Sequence, residues 1–324
     1  VLITGGGGSI GSEIAKQVAL QEVKHLIILD TNEFSLYSTK KEIESKYPHL
    51  DLSTVICSVT NKLRMIEIFK SFEVNTIYHT AAYKHVPLVE ENPFEGVDNN
   101  IYGTKYAIEA AIEARVETFV LISTDKAVRP TNIMGATKRL SEMILQSLSK
   151  EKSLSLETRM TMVRFGNVLG SSGSAIPLFQ QQIKDGGPVT VTDPNIIRYF
   201  MSISEAAELV IQAGAMGKGG DVFVLDMGEP VKIYELAKRL INLSGYEVKD
   251  DENSGGDIEI IFTGLRPGEK LYEELLIGEN VSKTIHKQIW RAEEDTLTID
   301  EIEYFLELII KAREKNDINA LKQI

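Results

Sequence analysis

The sequence predicts an α/β chain built on a doubly wound parallel sheet, with a smaller lobe supplied by its C-terminal part. Three observations carry this. Apolar, strand-like runs alternate with helical stretches through most of the first half of the 324 residues. A glycine-rich turn joins the first apolar run to the first helix. The buried-strand pattern at 119–122 then stops in four polar residues, Ser123, Thr124, Asp125 and Lys126, at the carboxyl end of a strand, where open parallel sheets bind their ligands.

Taken in order, Val1 to Thr4 reads as a strand that runs into Gly5-Gly6-Gly7-Gly8-Ser9-Ile10-Gly11, and 12–20 reads as a helix. Two spacings fit the loop, Gly6-x-Gly8-x-x-Gly11 and Gly5-x-x-Gly8-x-x-Gly11. Either permits a tight turn and brings backbone N–H groups to a pyrophosphate at a helix N-terminus. A second strand, 25–29, ends in Asp30. An acid about 20 residues past such a loop hydrogen-bonds an adenosine ribose and disfavours a 2′-phosphate, which points to NAD over NADP; the alternative is an Asp capping the next helix. A helix over 40–47, a strand over 55–59 containing Cys57, and a helix over 61–72 with Thr60 as N-cap follow. The strand 76–79 leads into Thr80, Ala81 and Ala82, small enough for a cofactor to approach closely. A long helix runs from 99 to about 114, with Asn100 either its N-cap or part of a site.

After the 119–122 strand, a helix over 132–149 places Met134 and Lys138 on one face. The strand 161–165 opens into a flexible loop over 166–173. Beyond it come a helix over 177–185, a strand over 188–192, a helix over 204–215, a strand over 221–225 and a strand over 258–262. Helices are expected near 233–243, 269–276 and 298–313, and exposed turns at 217–221 and 249–256. The nucleotide-binding unit is assigned to 1–166 with 199–226, and the substrate lobe to 167–198 with 227–324.

Composition narrows the function. A formal net charge of -12 speaks against a general nucleic-acid binder, although a few local Lys and Arg can hold an anionic small molecule. One cysteine and five scattered histidines leave neither a disulfide nor a cysteine-rich metal site, and no metal is expected. No run is long and apolar enough to span a membrane. The sequence opens on a strand without Met, and the expectation is a cytoplasmic enzyme or the soluble portion of an inner-membrane-anchored protein. An acid beside a base at a strand end is a candidate for proton transfer, against the plainer reading of a surface ion pair.

Nine motifs together resemble the extended short-chain dehydrogenase/reductases, and within them the UDP-N-acetylglucosamine 4,6-dehydratases of bacterial polysaccharide and glycan biosynthesis. They are TGGGGSIGSE from Thr4, LDTNEF from Leu29, HTAAYKHVPLVE from His79, NNIYGT from Asn99, STDKAVRPTN from Ser123, MGATKR from Met134, RFGNVLGSSGSAIPLF from Arg164, VTDPNIIRYFMSI from Val191 and GLRPGEKLYEELL from Gly264. The resemblance covers roughly 1–277. It implies a Rossmann domain that binds NAD through Gly5, Gly8, Ser9, Ile10, Gly11, Asp30, Ser58, Val59, Ala81, Ala82 and Lys138, and a UDP-sugar held by Lys84, Asn167, Arg198, Arg266 and Glu269. Taken alone, Arg198 and Arg266 would more often be surface salt bridges.

In such enzymes a sugar C4 hydroxyl is oxidised by hydride transfer, water is lost across C5 and C6, and the hydride returns to C6. The resemblance makes Asp125 the acid for the departing hydroxyl and Lys126 the base at C5. To act so, Lys126 must shed its proton part of the time, through desolvation or nearby positive charge. Two departures stand out. Met134 takes the place of the superfamily's acid/base Tyr, while Lys138 four residues on is retained; Thr124, assisted by Lys138 or a water, is then the expected relay for the C4 hydroxyl proton. Ser58 stands where an Asp often contacts adenine. Met134 together with Asp30 resembles the C5-retaining branch. A C5-inverting dehydratase, a C4 epimerase and a non-catalytic NAD-binding regulator stay open beside this reading. The resemblance also implies a homo-oligomer formed through the helices near 100–114 and 132–149.

Overall fold

The computed structural model describes residues 1–151, 157–171, 173–251, 253–276 and 280–324. Its centre is a nine-stranded sheet. From one edge to the other the strands are Val281–Lys283, Ile289–Ala292, Asp221–Leu225, Arg159–Arg164, Thr118–Ile122, Thr76–His79, Leu2–Thr4, Leu26–Asp30 and Leu52–Ile56. Every pairing from Asp221–Leu225 to Leu52–Ile56 is parallel, and the last two strands of the chain add antiparallel. The winding reverses at Leu2–Thr4, which lies between Leu26–Asp30 and Thr76–His79, so the crevice of the switch point opens just beyond Thr4 and His79.

Both faces of the sheet are covered, which is why Thr118–Ile122 is buried at every position and reads as a continuous apolar run. One face packs against helices Lys62–Ser71, Gly103–Glu113 and Ile133–Lys150, the other against Ser9–Ala19 and Ile203–Met216. A third apolar cluster, with Phe179, Ile183, Val189, Ile233, Ile241 and Ile258, is the core of the smaller lobe. There Val189–Val191, Ile258–Phe262 and Val248–Lys249 form a separate parallel sheet.

Several expectations need correction. The third strand is Leu52–Ile56, not 55–59: its register against Leu26–Asp30 pairs Leu26 with Leu52 and Asp30 with Ile56, so Cys57, Ser58 and Val59 lie past its end. The first helix begins at Ser9 because Gly8 closes the turn with a bond from its N–H to the Gly5 carbonyl. The second helix begins at Glu33, where Asn32 caps the N–H of Ser35. Asn61, not Thr60, caps the third, accepting from the N–H of Arg64 at 3.1 Å. Asn100 is no cap. It sits inside a π-helical turn, Val97–Tyr102, and its amide is spent on Tyr83 and Thr137.

No helix forms over 269–276; that stretch is irregular chain. The loop over 166–173 contains a short strand, Asn167–Val168, paired with Phe200–Met201. The turn expected at 249–256 starts within Val248–Lys249. Ser172 and Glu252 of these stretches, and Ile277 at the end of the resemblance, lie outside the described residues.

The C-terminal part does not belong wholly to the lobe, since Val281–Lys283 and Ile289–Ala292 extend the large sheet. The helix Ile299–Glu314 also returns to that unit. Its Ile302, Leu306 and Ile309 join the first core, Tyr102 donates to the Leu306 carbonyl, and Arg313 pairs with Asp98. This helix thus covers part of the surface that the resemblance assigns to self-association.

Candidate active site

A cleft of about 750 Å³ opens at the carboxyl ends of the parallel strands. At one end lies the glycine loop. Gly5, Gly8, Ser9, Ile10 and Gly11 line the cleft, whereas Gly6 and Gly7 pack against Ile28 and Ser35; the Gly5-x-x-Gly8-x-x-Gly11 spacing is therefore the one the fold uses. Gly5 has φ +67°, and a Cβ on Gly11 would sit 2.1 Å from the Gly5 carbonyl oxygen. No side chain caps the Ser9–Ala19 helix and its first turn carries no acid, so its positive end faces the cleft. Asp30 lines the same region, its carboxylate pinned by the N–H groups of Gly7 and Asn32, both at 3.0 Å. Val59, Ala81 and Ala82 complete this end.

Ser58 departs from its expected place. It lines a neighbouring hollow of about 510 Å³ and shares a 2.7 Å hydrogen bond with Thr60.

The middle of the cleft holds the Ser123-Thr124-Asp125-Lys126 turn. The 118–122 strand continues its ladder through Ser123 and Asp125, whose N–H groups bond the carbonyls of Val163 and Phe165. A short 3₁₀ turn over Asp125–Ala127 then swings the chain back. On an ideal strand Asp125 and Lys126 would face opposite ways; the turn removes that conflict. Thr124 Oγ1 donates to Asp125 Oδ1 at 2.8 Å, and Lys126 Nζ donates to the same oxygen at 2.9 Å. Lys126 also reaches Asn167 Oδ1 at 3.3 Å. Asp125 is fully buried beneath the cleft, and its Oδ2 has no partner.

Thr124, Lys126, Met134, Lys138, Asn167 and Lys84 all line this part. Met134 is buried to 2% exposure. Lys138, one helical turn on, sends Nζ to the Ile122 carbonyl at 2.6 Å, so its amine is committed to the strand and Thr124 is engaged by Asp125 instead. Burial pushes the Lys138 ammonium down to about 8, although the Glu142 carboxylate opposes the shift. Burial also lowers Lys84, with help from the charge of Lys126. Lys126 itself lies between two carboxylates, Asp125 at 2.9 Å and Glu273 at 4.0 Å.

The other substrate residues are not in the cleft lining. Arg198 is buried behind it, bonded to the carbonyls of Ile197 and Leu271 and to Glu269 Oε1 at 3.3 Å. Glu269 also accepts from the backbone N–H of Arg266, whose side chain is exposed. Glu273, on the same irregular stretch, went unnoticed in the sequence because nothing local marks it. A second feature missed is the buried network under the cleft floor. Ser123 donates to Glu142 at 2.7 Å, and Arg164 grips Glu142 and Glu294.

Comparison with known proteins follows the same lines. The family described as polysaccharide biosynthesis protein matches residues 1–294. The capsular polysaccharide biosynthesis protein CapD of Staphylococcus aureus is 51% identical over 312 residues, covering 96% of this chain and 50% of that protein. The probable polysaccharide biosynthesis protein EpsC of Bacillus subtilis is 54% identical over 277 residues, covering 85% and 44%. The chain spans about half the length of these two relatives. A UDP-glucose 4-epimerase of Rickettsia rickettsii is 35% identical over 313 residues, covering 95% of this chain and 86% of that protein. Among solved structures, Pen from Bacillus thuringiensis superposes with a TM-score of 0.81 at 34% identity, covering 91% of this chain and 87% of that one. The dTDP-glucose 4,6-dehydratase DesIV of Streptomyces venezuelae, solved with NAD and TYD bound, shares the fold at a TM-score of 0.71 and 21% identity, covering 85% and 87%.

Proposed function

The chain belongs to the polysaccharide biosynthesis protein family, and on that premise we propose that it is an NAD-dependent dehydratase that converts UDP-N-acetylglucosamine to a UDP-4-keto-6-deoxy-N-acetylhexosamine. The observation that carries this reading is the Thr124–Asp125–Lys126 turn. One carboxylate oxygen collects a hydroxyl and an ammonium at the floor of a cleft whose other end is a glycine loop.

The residues suit a dinucleotide. The uncapped helix end at Gly8 offers backbone N–H groups to a pyrophosphate, the missing Cβ of Gly11 keeps the turn closed, and Asp30 stands where a ribose hydroxyl would be. When bound, the nicotinamide supplies a reversible hydride acceptor. The chain's own residues then move protons. Thr124 takes the C4 hydroxyl proton and passes it along its hydrogen bond to Asp125. Asp125 gives that proton to the departing C6 hydroxyl, which leaves as water. Lys126 removes the C5 proton and later returns it. Met134 has no proton to move, and its thioether packs beside the sugar's position. Lys138 steadies the nicotinamide ribose.

Relatives named as UDP-glucose 4-epimerases favour a second reading, epimerisation at C4. Asp125 and Lys126 have no task in that reaction, and Met134 removes its usual acid/base. Incubation with NAD⁺ and UDP-N-acetylglucosamine in deuterated water, followed by NMR, separates the two. The dehydratase yields a 4-keto product with deuterium at C5, no net reduced cofactor and retained C5 configuration. A galacto isomer, or unchanged substrate, overturns the proposal.

A further inference from the structure

Among the described residues, Glu273 is the least satisfied carboxyl beside the cleft. Its side chain is only 5% exposed, yet Oε2 has no hydrogen-bond partner. Its Oε1 lies 4.0 Å from Lys126 Nζ and 3.9 Å from Arg198 Nη2, beyond hydrogen-bond reach of both. Both cations are otherwise engaged, Lys126 by Asp125 and Asn167, Arg198 by Glu269 and two carbonyls. A buried carboxyl in this state is costly, and an apolar side chain would fill the space without that cost.

We infer that Glu273 is a positioning residue, one shared carboxyl that couples the proton on Lys126 to the anion held by Arg198. The inference rests on the proposed function for the role of Lys126 and on the family resemblance for that of Arg198, whose side chain keeps 10% exposure behind the cleft. Burial raises the proton affinity of Glu273 and the charge of Asp125 adds to this, while Lys126, Arg198 and Lys270 oppose it; Glu269 reaches the same group through Arg198. An anionic diphosphate on Arg198 cancels one of the charges that keep Glu273 ionised. Glu273 then accepts a proton, Lys126 loses a counter-ion, and its amine is freed to act as a base. The proton taken by one group is the proton given up by the other.

The test is pH-dependent labelling of the Lys126 amine with limiting acetic anhydride, read by peptide mass spectrometry. Wild type, Glu273→Gln and Glu273→Asp are compared, each with and without UDP. Removing the charge in Glu273→Gln moves the labelling midpoint of Lys126 down by about one pH unit, the usual effect of losing an opposite charge at this range. Glu273→Asp, which keeps the charge, restores part of the shift. UDP moves the wild-type midpoint down and leaves that of Glu273→Gln unchanged or higher. Equal midpoints in wild type and Glu273→Gln, or a UDP effect of the same sign in both, overturn the inference. If calorimetry shows that UDP binds neither protein, the proposed substrate class fails, while the Glu273→Gln midpoint still decides the role of Glu273.

Discussion

Arg164 lies in register with Glu142 beneath the cleft floor, Nε to Oε1 and Nη2 to Oε2, both at 2.6 Å, with neither side chain exposed. Glu294 and Arg139 close the network, and Ser123 ties it to the turn that carries Asp125 and Lys126. Burial pushes the Glu142 carboxyl up, but Arg164, Arg139 and Ser123 outweigh it and hold it below the usual carboxylate range. Removing one partner strands a buried charge, which costs more than the pair contributes. Glu142→Ala is expected to destabilise the chain by about 3–5 kcal/mol, measured as a lowered midpoint of urea unfolding. Replacing Glu142, Arg164, Arg139 and Glu294 together by apolar residues should cost far less. Equal losses for the single and the multiple variant would show that the charges themselves are needed for stability.

Lys138 predicts a pH dependence of dinucleotide binding. Its ammonium loses its proton near pH 8, against an ordinary 10.5. If Lys138 steadies the nicotinamide ribose as proposed, the charged amine does so below that value, and above it the charge is lost. Affinity for NAD⁺ by calorimetry should therefore fall by about threefold to tenfold between pH 7 and pH 9.5, and the fall should vanish in Lys138→Met. Because the folded value is depressed, the stability sign is the reverse. The unfolded chain binds more protons between about 8 and 10.5, so this residue's contribution to stability rises with pH across that window.

On the proposed function, the Thr124–Asp125–Lys126 turn separates binding from chemistry. Asp125→Asn keeps the shape and removes the acid, and should lower turnover about 10³-fold while NAD⁺ still binds, the scale of general acid catalysis. Thr124→Val breaks the 2.8 Å bond to Asp125 and should lose a comparable factor; Thr124→Ser keeps the hydroxyl and most of the rate. Steady-state kinetics with a coupled assay for the 4-keto product checks all three. Full activity of Thr124→Val would remove Thr124 from the proton path.

The parts of this site that were legible in the sequence are those whose geometry is set locally. Gly5 and Gly11 declare themselves because the turn between strand and helix admits no Cβ at either, and Gly8 by its spacing between them. Asp30 declares itself because it ends a strand of the parallel sheet, and Asp125 and Lys126 because they follow closely on the end of another. Long-range pairing was not legible. The strand Leu52–Ile56 is placed by its register with Leu26–Asp30 rather than by its own apolarity, hence the shift of three residues from 55–59. Arg198, Arg266 and Glu269 were marked by motif, but that Arg198 and the Arg266 backbone both meet Glu269, and that Glu273 approaches Lys126 from a distant irregular stretch, only the fold shows. Glu142 sits one turn beyond Lys138, yet only the fold shows that a strand residue, Arg164, faces it.

His79 gives a prediction for acid stability. It ends the Thr76–His79 strand fully buried, its ring nitrogens 2.9 Å from Thr4 Oγ1 and 3.2 Å from Thr104 Oγ1. It also stacks on Phe119 at 5.6 Å between ring centroids. Burial, reinforced by the charge of Lys138, pushes its imidazolium down to about 3 from the usual 6.5. In that interval the unfolded chain carries the proton and the folded chain does not. Stability therefore falls as pH drops from about 6.5 toward 3, by roughly 3 kcal/mol at pH 4 from this residue. His79→Gln keeps an amide for the two threonines and has nothing to titrate. It should start less stable at pH 7, because the ring packing is lost, and should lose less on acidification. Urea unfolding of both proteins at pH 7 and pH 4 measures the difference. Parallel losses would mean that His79 takes up its proton without leaving the fold.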